Sequence, residues 1–279
     1  MKKAISDLTR QDIECMDYNQ LIGLVRETNR PPGGLRSIVR IAQNSFLNDR
    51  KKVLEIGTST GITAIELARL TSAHIYGIDI NPASLKEARE RSERYGVANK
   101  TEFCLEDATN LSFAPDYFDL VFCGNVTSLI SDRRKALAEY SRVLKAGGIL
   151  AAIPMYYVRP PSTELVEAVS EAIQVKITPH DKQYWMDFFN VEPFHTFLTE
   201  DYTFDHIEQG TVDIFAQKIL ASEHLQELKP EVKQLLDEKY TRHMQLFREN
   251  LSHMGYSLLL LRKEHEPMDP ELFTSTRVR

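Results

Sequence analysis

Between Lys51 and Pro154 the chain alternates between strand-like and helix-like periods through eight segments in about 105 residues, and this alternation limits its folds more than any other feature. Short apolar runs, Val53–Gly57, His74–Asp79, Thr101–Leu105, Phe118–Cys123 and Gly148–Pro154, read as strands. Helical patterns fall between them at Ile62–Leu70, Pro82–Tyr95 and Arg133–Leu144, the last expected to stop at Lys145-Ala-Gly-Gly148. Pro82 suits a first helical turn, where its missing N–H leaves no bond unmade. Strands separated by helices join through right-handed crossovers, which implies a doubly wound, mostly parallel α/β sheet.

The flanks extend this core. Residues 9–28 space Ile13, Met16, Leu21, Leu24 and Val25 along one helical face. Asn29-Arg-Pro-Pro-Gly-Gly34 stops that helix, and a second is expected over 35–47. After Pro154, helices are expected near 163–175, 182–189, 211–221 and 230–253, with one or two strands in 194–206 and a strongly apolar strand at 256–261. A long helix between two late strands suggests an antiparallel pair at a sheet edge, hence a seven-stranded sheet with an antiparallel last strand.

The first βα turn, Glu55-Ile-Gly57-Thr58-Ser59-Thr60-Gly61, ends a strand and opens a helix. Glycine there admits a ligand close to the backbone, and the helix N-terminus offers unpaired N–H groups. Asp79 ends the second strand, 22 residues after Gly57 (79 − 57), where a carboxylate can accept from ribose hydroxyls. Glu106-Asp107-Ala108 follows the third strand and can meet an adenine amino group. Each of these could instead be a capping turn. Together they occupy the C-terminal ends of consecutive strands, where open α/β sheets bind ligands.

A nicotinamide dinucleotide fits this pattern poorly. Its G-x-G-x-x-G fingerprint would need glycines where this chain has Ser59 and Ile62, and it gives Glu55 no role. The segment VLEIGTSTGITAIELARL instead resembles the first motif of the Rossmann-like (class I) S-adenosylmethionine-dependent methyltransferases, with Ser59 at the usual middle glycine. IYGIDINPASLKEARER resembles their second motif, TEFCLEDATNLSFAPDYFDLVFCGNVTSLI their third and fourth, and RRKALAEYSRVLKAGGILAAIP their following helix and fifth strand. The resemblance implies S-adenosylmethionine as cofactor. It implies Glu55 near the methionine amino group, with Gly57, Thr58, Ser59 and Gly61 along the methionine and sugar. Asp79 would hold the ribose, Ile80 would lie against the adenine, Asp107 and Ala108 would sit at the adenine amino group, and Asn125 near the methyl donor. Tyr18 and Arg36 would reach the methionine carboxylate. On this reading residues 1–50 form a helical cap, 51–262 the methyltransferase domain with substrate-binding insertions at 155–253, and 263–279 a tail. The Pro31–Gly34 segment would hinge the cap, which would order when cofactor binds.

The expected acceptor is a small molecule. Lys+Arg 34 against Asp+Glu 40 gives −6, which argues against a nucleic-acid partner. Cys123-Gly-Asn-Val126 lacks the (Asp/Asn)-Pro-Pro-(Tyr/Phe) loop of the family's base-amino and glutamine methyltransferases. Three cysteines without metal-ligand spacing predict no metal site and a reducing compartment. MKKAISDLTRQDIE has no apolar run behind its lysines, and no segment approaches 20 apolar residues, so a cytoplasmic, membrane-free protein is expected, with homodimer formation left open. His180, as a general base, and Tyr156 are candidate catalytic residues; candidate substrate contacts are Tyr18, Asn19, Arg26, Arg30 and Arg36 in the N-terminal helices, and later Met155, Tyr156, Tyr157, Arg159, His180, Tyr184 and Trp185. A noncatalytic cofactor-binding protein of the same fold is the remaining alternative.

Overall fold

The computed structural model describes residues 4–264. Three short helices open the chain: α1 (Arg10–Cys15), α2 (Tyr18–Val25) and α3 (Gly34–Asn44). Then β1 (Lys52–Ile56), α4 (Ile62–Thr71), β2 (His74–Asp79), α5 (Pro82–Arg94), β3 (Thr101–Leu105) and β4 (Phe118–Cys123) alternate. The rest runs α6 (Arg133–Val143), β5 (Leu144–Ala152), β6 (Met155–Tyr157), α7 (Thr163–Ile173), α8 (Lys182–Phe189), β7 (Phe194–Thr203), α9 (Gln209–Leu220), α10 (Pro230–Leu251) and β8 (Met254–Lys263).

The sheet order is β3-β2-β1-β4-β5-β8, with β6 and β7 both pairing β8. The first five strands are parallel and the β8 pairings antiparallel, as the alternation predicts. The strand count is eight rather than seven, because β6, only three residues long, adds beside one end of β8. The expected helix over 9–28 is two helices. Met16 and Asp17 are extended, and two capping boxes, Thr9 with Asp12 and Asp17 with Gln20, start each helix afresh. The Lys145-Ala-Gly-Gly148 stop lies inside β5, not after α6: the helix ends at Val143 and the strand begins at once. Lys263, placed in the tail by the sequence, ends β8; residues 265–279 lie outside the described residues.

One buried cluster joins the sheet to α6 and α8 through Tyr140, Phe118, Trp185 and Phe189. A second fills the opposite face against α3, α4 and α5. A third, separate core packs α1 and α2 on α9 and α10 through Ile13, Leu21, Val25, Leu236 and Tyr240. The apolar faces of the N-terminal helices thus find their partner in the C-terminal helices. No helix among the described residues is long and apolar enough to cross a membrane.

Candidate functional site

The C-terminal ends of β1, β2 and β4 open into a cavity of about 1110 Å³. Its floor is the turn after β1. Gly57 and Gly61 hold φ of +69° and +80°, and Ser59, at +50°, occupies the left-handed region that explains the family's preference for glycine there. The Ser59 N–H donates to Asp79 Oδ2 at 2.9 Å, and the Asn81 N–H to Oδ1 at 2.8 Å. These bonds aim a half-buried carboxylate across the mouth of the turn. Burial raises the Asp79 pKa above its ordinary value, against the lowering effect of those N–H groups. Ile80 follows at 75% exposure, an aliphatic side chain with no covering layer of its own.

Glu55 is buried, and its Oε2 accepts from the Thr58 hydroxyl at 2.6 Å. Burial pushes its pKa up to about 7, while bonds from Thr58, Thr63 and the Ala64 N–H oppose the rise and the Asp79 charge adds to it. Asp107 sits exposed on the rim. Its Oδ1 accepts the N–H and hydroxyl of Thr109 at 2.8 and 2.9 Å, bonds that hold its pKa below the usual carboxylate range, and Ala108 beside it is buried. Asn125 lines the cavity after β4, and its Oδ1 accepts the Met155 N–H at 3.1 Å. That bond stitches the end of β4 to the start of β6.

Tyr18 lines the cavity, stacked edge-on against Phe247 at 4.6 Å, but its hydroxyl bonds Glu27 and burial raises its pKa well above the ordinary tyrosine value. Arg36 does not reach the cavity. α3 turns Ser37, Ile38 and Ile41 inward, which leaves Arg36 exposed, while Arg30, before the prolines, lines the wall. Tyr156 is also misplaced by the sequence reading. In β6 it points into the core, 4% exposed, with its hydroxyl 3.2 Å from Ser257, while its neighbours Met155 and Tyr157 face the cavity. His180 lines the cavity, but Arg133 Nη1 lies 3.1 Å from its Nε2. A guanidinium only donates, so that nitrogen accepts and its lone pair is engaged, which removes His180 as a ready base. Burial and the Arg133 charge lower its pKa.

Sequence reasoning missed the far wall. Val169 and Ile173 of α7, Phe215 of α9, and Met244, Phe247 and Leu251 of α10 line the same cavity. Their periodicity marked only helices with an apolar face, which serves a core or a chamber alike.

The residues present fit an adenosine-bearing cofactor. A Cβ at Gly57 would lie 2.6 Å from Val126 Cγ2, so the cradle tolerates nothing larger than hydrogen. The surrounding groups are a carboxylate beside backbone N–H groups, an exposed aliphatic side chain and a rim carboxylate. If Asp79 holds the ribose, Asp79→Ala weakens S-adenosylhomocysteine binding by about 1.5–3 kcal/mol, the worth of charge-assisted hydrogen bonds. Calorimetry measures this, and an unchanged dissociation constant in the folded variant would exclude the role.

A pH dependence follows from Glu55. Its carboxyl is half protonated near pH 7 in the free protein. If it faces the cofactor ammonium, binding favours the ionised form and expels a proton below that pH. Affinity is then level above pH ~7 and falls up to about tenfold per unit below it, by linkage. Asp79, also raised by burial, adds to the loss at lower pH. Affinities measured between pH 5.5 and 8 should show this slope, flattened in Glu55→Gln; the same slope in the variant would assign it elsewhere.

Known proteins place this architecture. Residues 54–152 match the methyltransferase-domain family. The chain is 31% identical over 170 residues to an uncharacterized protein of Haemophilus influenzae, covering 60% of this chain and 68% of that one. It is 32% identical over 109 residues to the sterol 24-C-methyltransferase ERG6A of Gibberella zeae, covering 39% of this chain but only 29% of the fungal protein. A methyltransferase from Geobacter sulfurreducens, solved with S-adenosylhomocysteine, superposes with a TM-score of 0.63 at 18% identity, over 88% of this chain and 98% of that one. The four ordered motifs, the strand order and the glycine turn agree with these matches and set the nicotinamide alternative aside: the chain carries a methyltransferase domain of that family and has the fold of the solved S-adenosylmethionine-dependent methyltransferases.

Proposed function

We propose that this protein methylates a small molecule with an extended apolar body. The observation that carries the reading is the continuity of the cavity. One space of about 1110 Å³ reaches from the β1 turn to the apolar wall of α7, α9 and α10. Pockets for one drug-sized ligand run to about 1,000 Å³ at most, so this one suits a cofactor and a second molecule beside it. The sterol named for the Gibberella relative is an acceptor of this apolar kind.

When bound, S-adenosylmethionine supplies an electrophilic methyl carbon on a sulfonium sulfur. The protein's part is alignment and the exclusion of water. Asp79 and the Ser59 N–H it holds would fix the sugar end, and Glu55 the amino end. Asn125, braced on Met155, would keep the loop after β4 against the reacting region. The aliphatic and aromatic wall would press an apolar acceptor toward that loop and keep water from competing for the methyl group.

The test is label transfer. Incubated with S-adenosylmethionine labelled in the methyl group and a cell extract, the protein should move label into small molecules that partition into organic solvent. Label found only in precipitated protein or nucleic acid would overturn the reading.

A further inference from the structure

The chamber wall is not wholly apolar. Arg133, in the first turn of α6, lines the cavity half-buried. Its Nε donates to the Ile130 carbonyl at 3.3 Å, and its Nη1 to His180 Nε2 at 3.1 Å and the Tyr184 hydroxyl at 3.0 Å. These partners are neutral; none cancels its charge. The two carboxylates adjacent in sequence are spent on helix ends. Asp132 accepts from the Lys135 N–H at 3.1 Å and Asp181 from the Tyr184 N–H at 2.9 Å. Among the described residues Arg133 forms no ion pair with a carboxylate, unlike Arg30, whose Nη2 lies 3.8 Å from Glu66 Oε1.

A second group on the same wall is also short of a partner. Trp185 is 2% exposed and lines the cavity, and its indole N–H is buried without a hydrogen bond among the described residues. The Arg133 guanidinium lies over the Trp185 ring, 5.6 Å from its centre. His180 stacks on Tyr184 at 3.5 Å and crosses Trp185 edge-on, which fixes the corner. A buried donor without an acceptor costs free energy, and the half-buried guanidinium beside it has no counter-charge. One ligand group corrects both: an oxyanion.

We propose that the acceptor carries an acidic headgroup, a carboxylate or a phosphate, and that Arg133 and the Trp185 indole N–H bind it while the apolar body lies along α7, α9 and α10. This rests on reading the cavity as a methyl-acceptor site. It separates this protein from methyltransferases whose acceptor is a neutral alcohol, because such an acceptor leaves the guanidinium unpaired.

The test uses the full chain saturated with S-adenosylhomocysteine, titrated by calorimetry with decanoate, decyl phosphate and decanol. At least one anionic probe should bind about tenfold or more tighter than decanol, a difference of one charge-assisted contact; whichever of the two binds tighter identifies the headgroup. Arg133→Gln should erase that preference and leave decanol and S-adenosylhomocysteine affinity as they were. Trp185→Phe, which keeps the ring packing and loses only the N–H, should weaken the anionic probe about threefold or more, with decanol unmoved. As Trp185 is the chain's single tryptophan, quenching of wild-type fluorescence by the anionic probe reports its arrival at this corner. Equal binding of all three probes, no binding of any, or a preference that survives both substitutions overturns the proposal while S-adenosylhomocysteine still binds. Failure of the wild-type protein to bind S-adenosylhomocysteine instead overturns the methyl-transfer reading beneath it.

Discussion

Replacing Gly57 with valine is expected to raise the S-adenosylhomocysteine dissociation constant at least about hundredfold, some 2.7 kcal/mol. Two effects act together. Gly57 holds φ of +69°, where a branched side chain collides with its own backbone at a cost of roughly 1–2 kcal/mol or more. Its Cβ would also lie 2.6 Å from Val126 Cγ2 and 2.8 Å from Val126 Cβ. The first obstacle is therefore a protein side chain, not the ligand the sequence suggested. Relief requires moving either the β1 turn or the loop after β4, and both line the cavity. The clash is local, and the sheet pairs β1 with β2 and β4 through backbone bonds that end at Ile56. Circular dichroism should consequently stay near wild type while calorimetry loses the binding signal. Wild-type affinity in the variant would mean that the turn does not approach the cofactor.

The parts of this site that were legible in the sequence are those fixed by local chemistry. Glycine at positive φ and a carboxylate at a strand end are properties of single positions, so Gly57, Asp79 and Asp107 fall at the cavity, whereas Gly61, also expected there, sets the turn from behind, packed against Ala88 and Phe103. Arg36 and Arg30 could not be told apart, because the choice depends on where α3 starts around Gly33 and which way it turns. Tyr156 and Tyr157 are adjacent on a three-residue strand too short to show an alternation, yet the pleat sends one to the core and the other to the cavity. The apolar wall stayed hidden for a different reason. Phe215 and Met244 belong to helices whose partners are 200 residues earlier in the chain, and no local pattern records that pairing. The orphaned indole of Trp185 is likewise a tertiary fact: only packing shows that a donor has been left without an acceptor.

The seat of the N-terminal helices depends on one buried cation, and its removal should be costly. Arg91 of α5 is 4% exposed. Its Nη2 donates to the Arg26 carbonyl at 2.8 Å, and its Nη1 to the Thr60 hydroxyl and carbonyl at 2.7 and 3.0 Å. Glu87 balances its charge at 3.3 Å. The Thr60 hydroxyl bonds the Glu27 carbonyl in turn, and Tyr240 of α10 donates to Glu27 Oε2 at 2.7 Å. The end of α2, the turn after β1 and α10 are thus tied through one guanidinium. Arg91→Met leaves these carbonyls without their donor and takes one of three cations from the buried Glu87. Breaking such a pair costs about 3–5 kcal/mol, and the lower end applies because Glu87 keeps Arg94 at 2.5 Å and Arg26 at 3.4 Å. For a chain of this size the melting temperature should fall by roughly 10 °C. The same ties bear on whether the cap moves. With Leu21, Ile22 and Val25 at most 1% exposed, hydrogen exchange in α2 should already be slow without ligand and quicken in Arg91→Met. Exchange in 18–25 that is fast in the free wild type and slows only with S-adenosylhomocysteine would show instead that the cap closes on the cofactor.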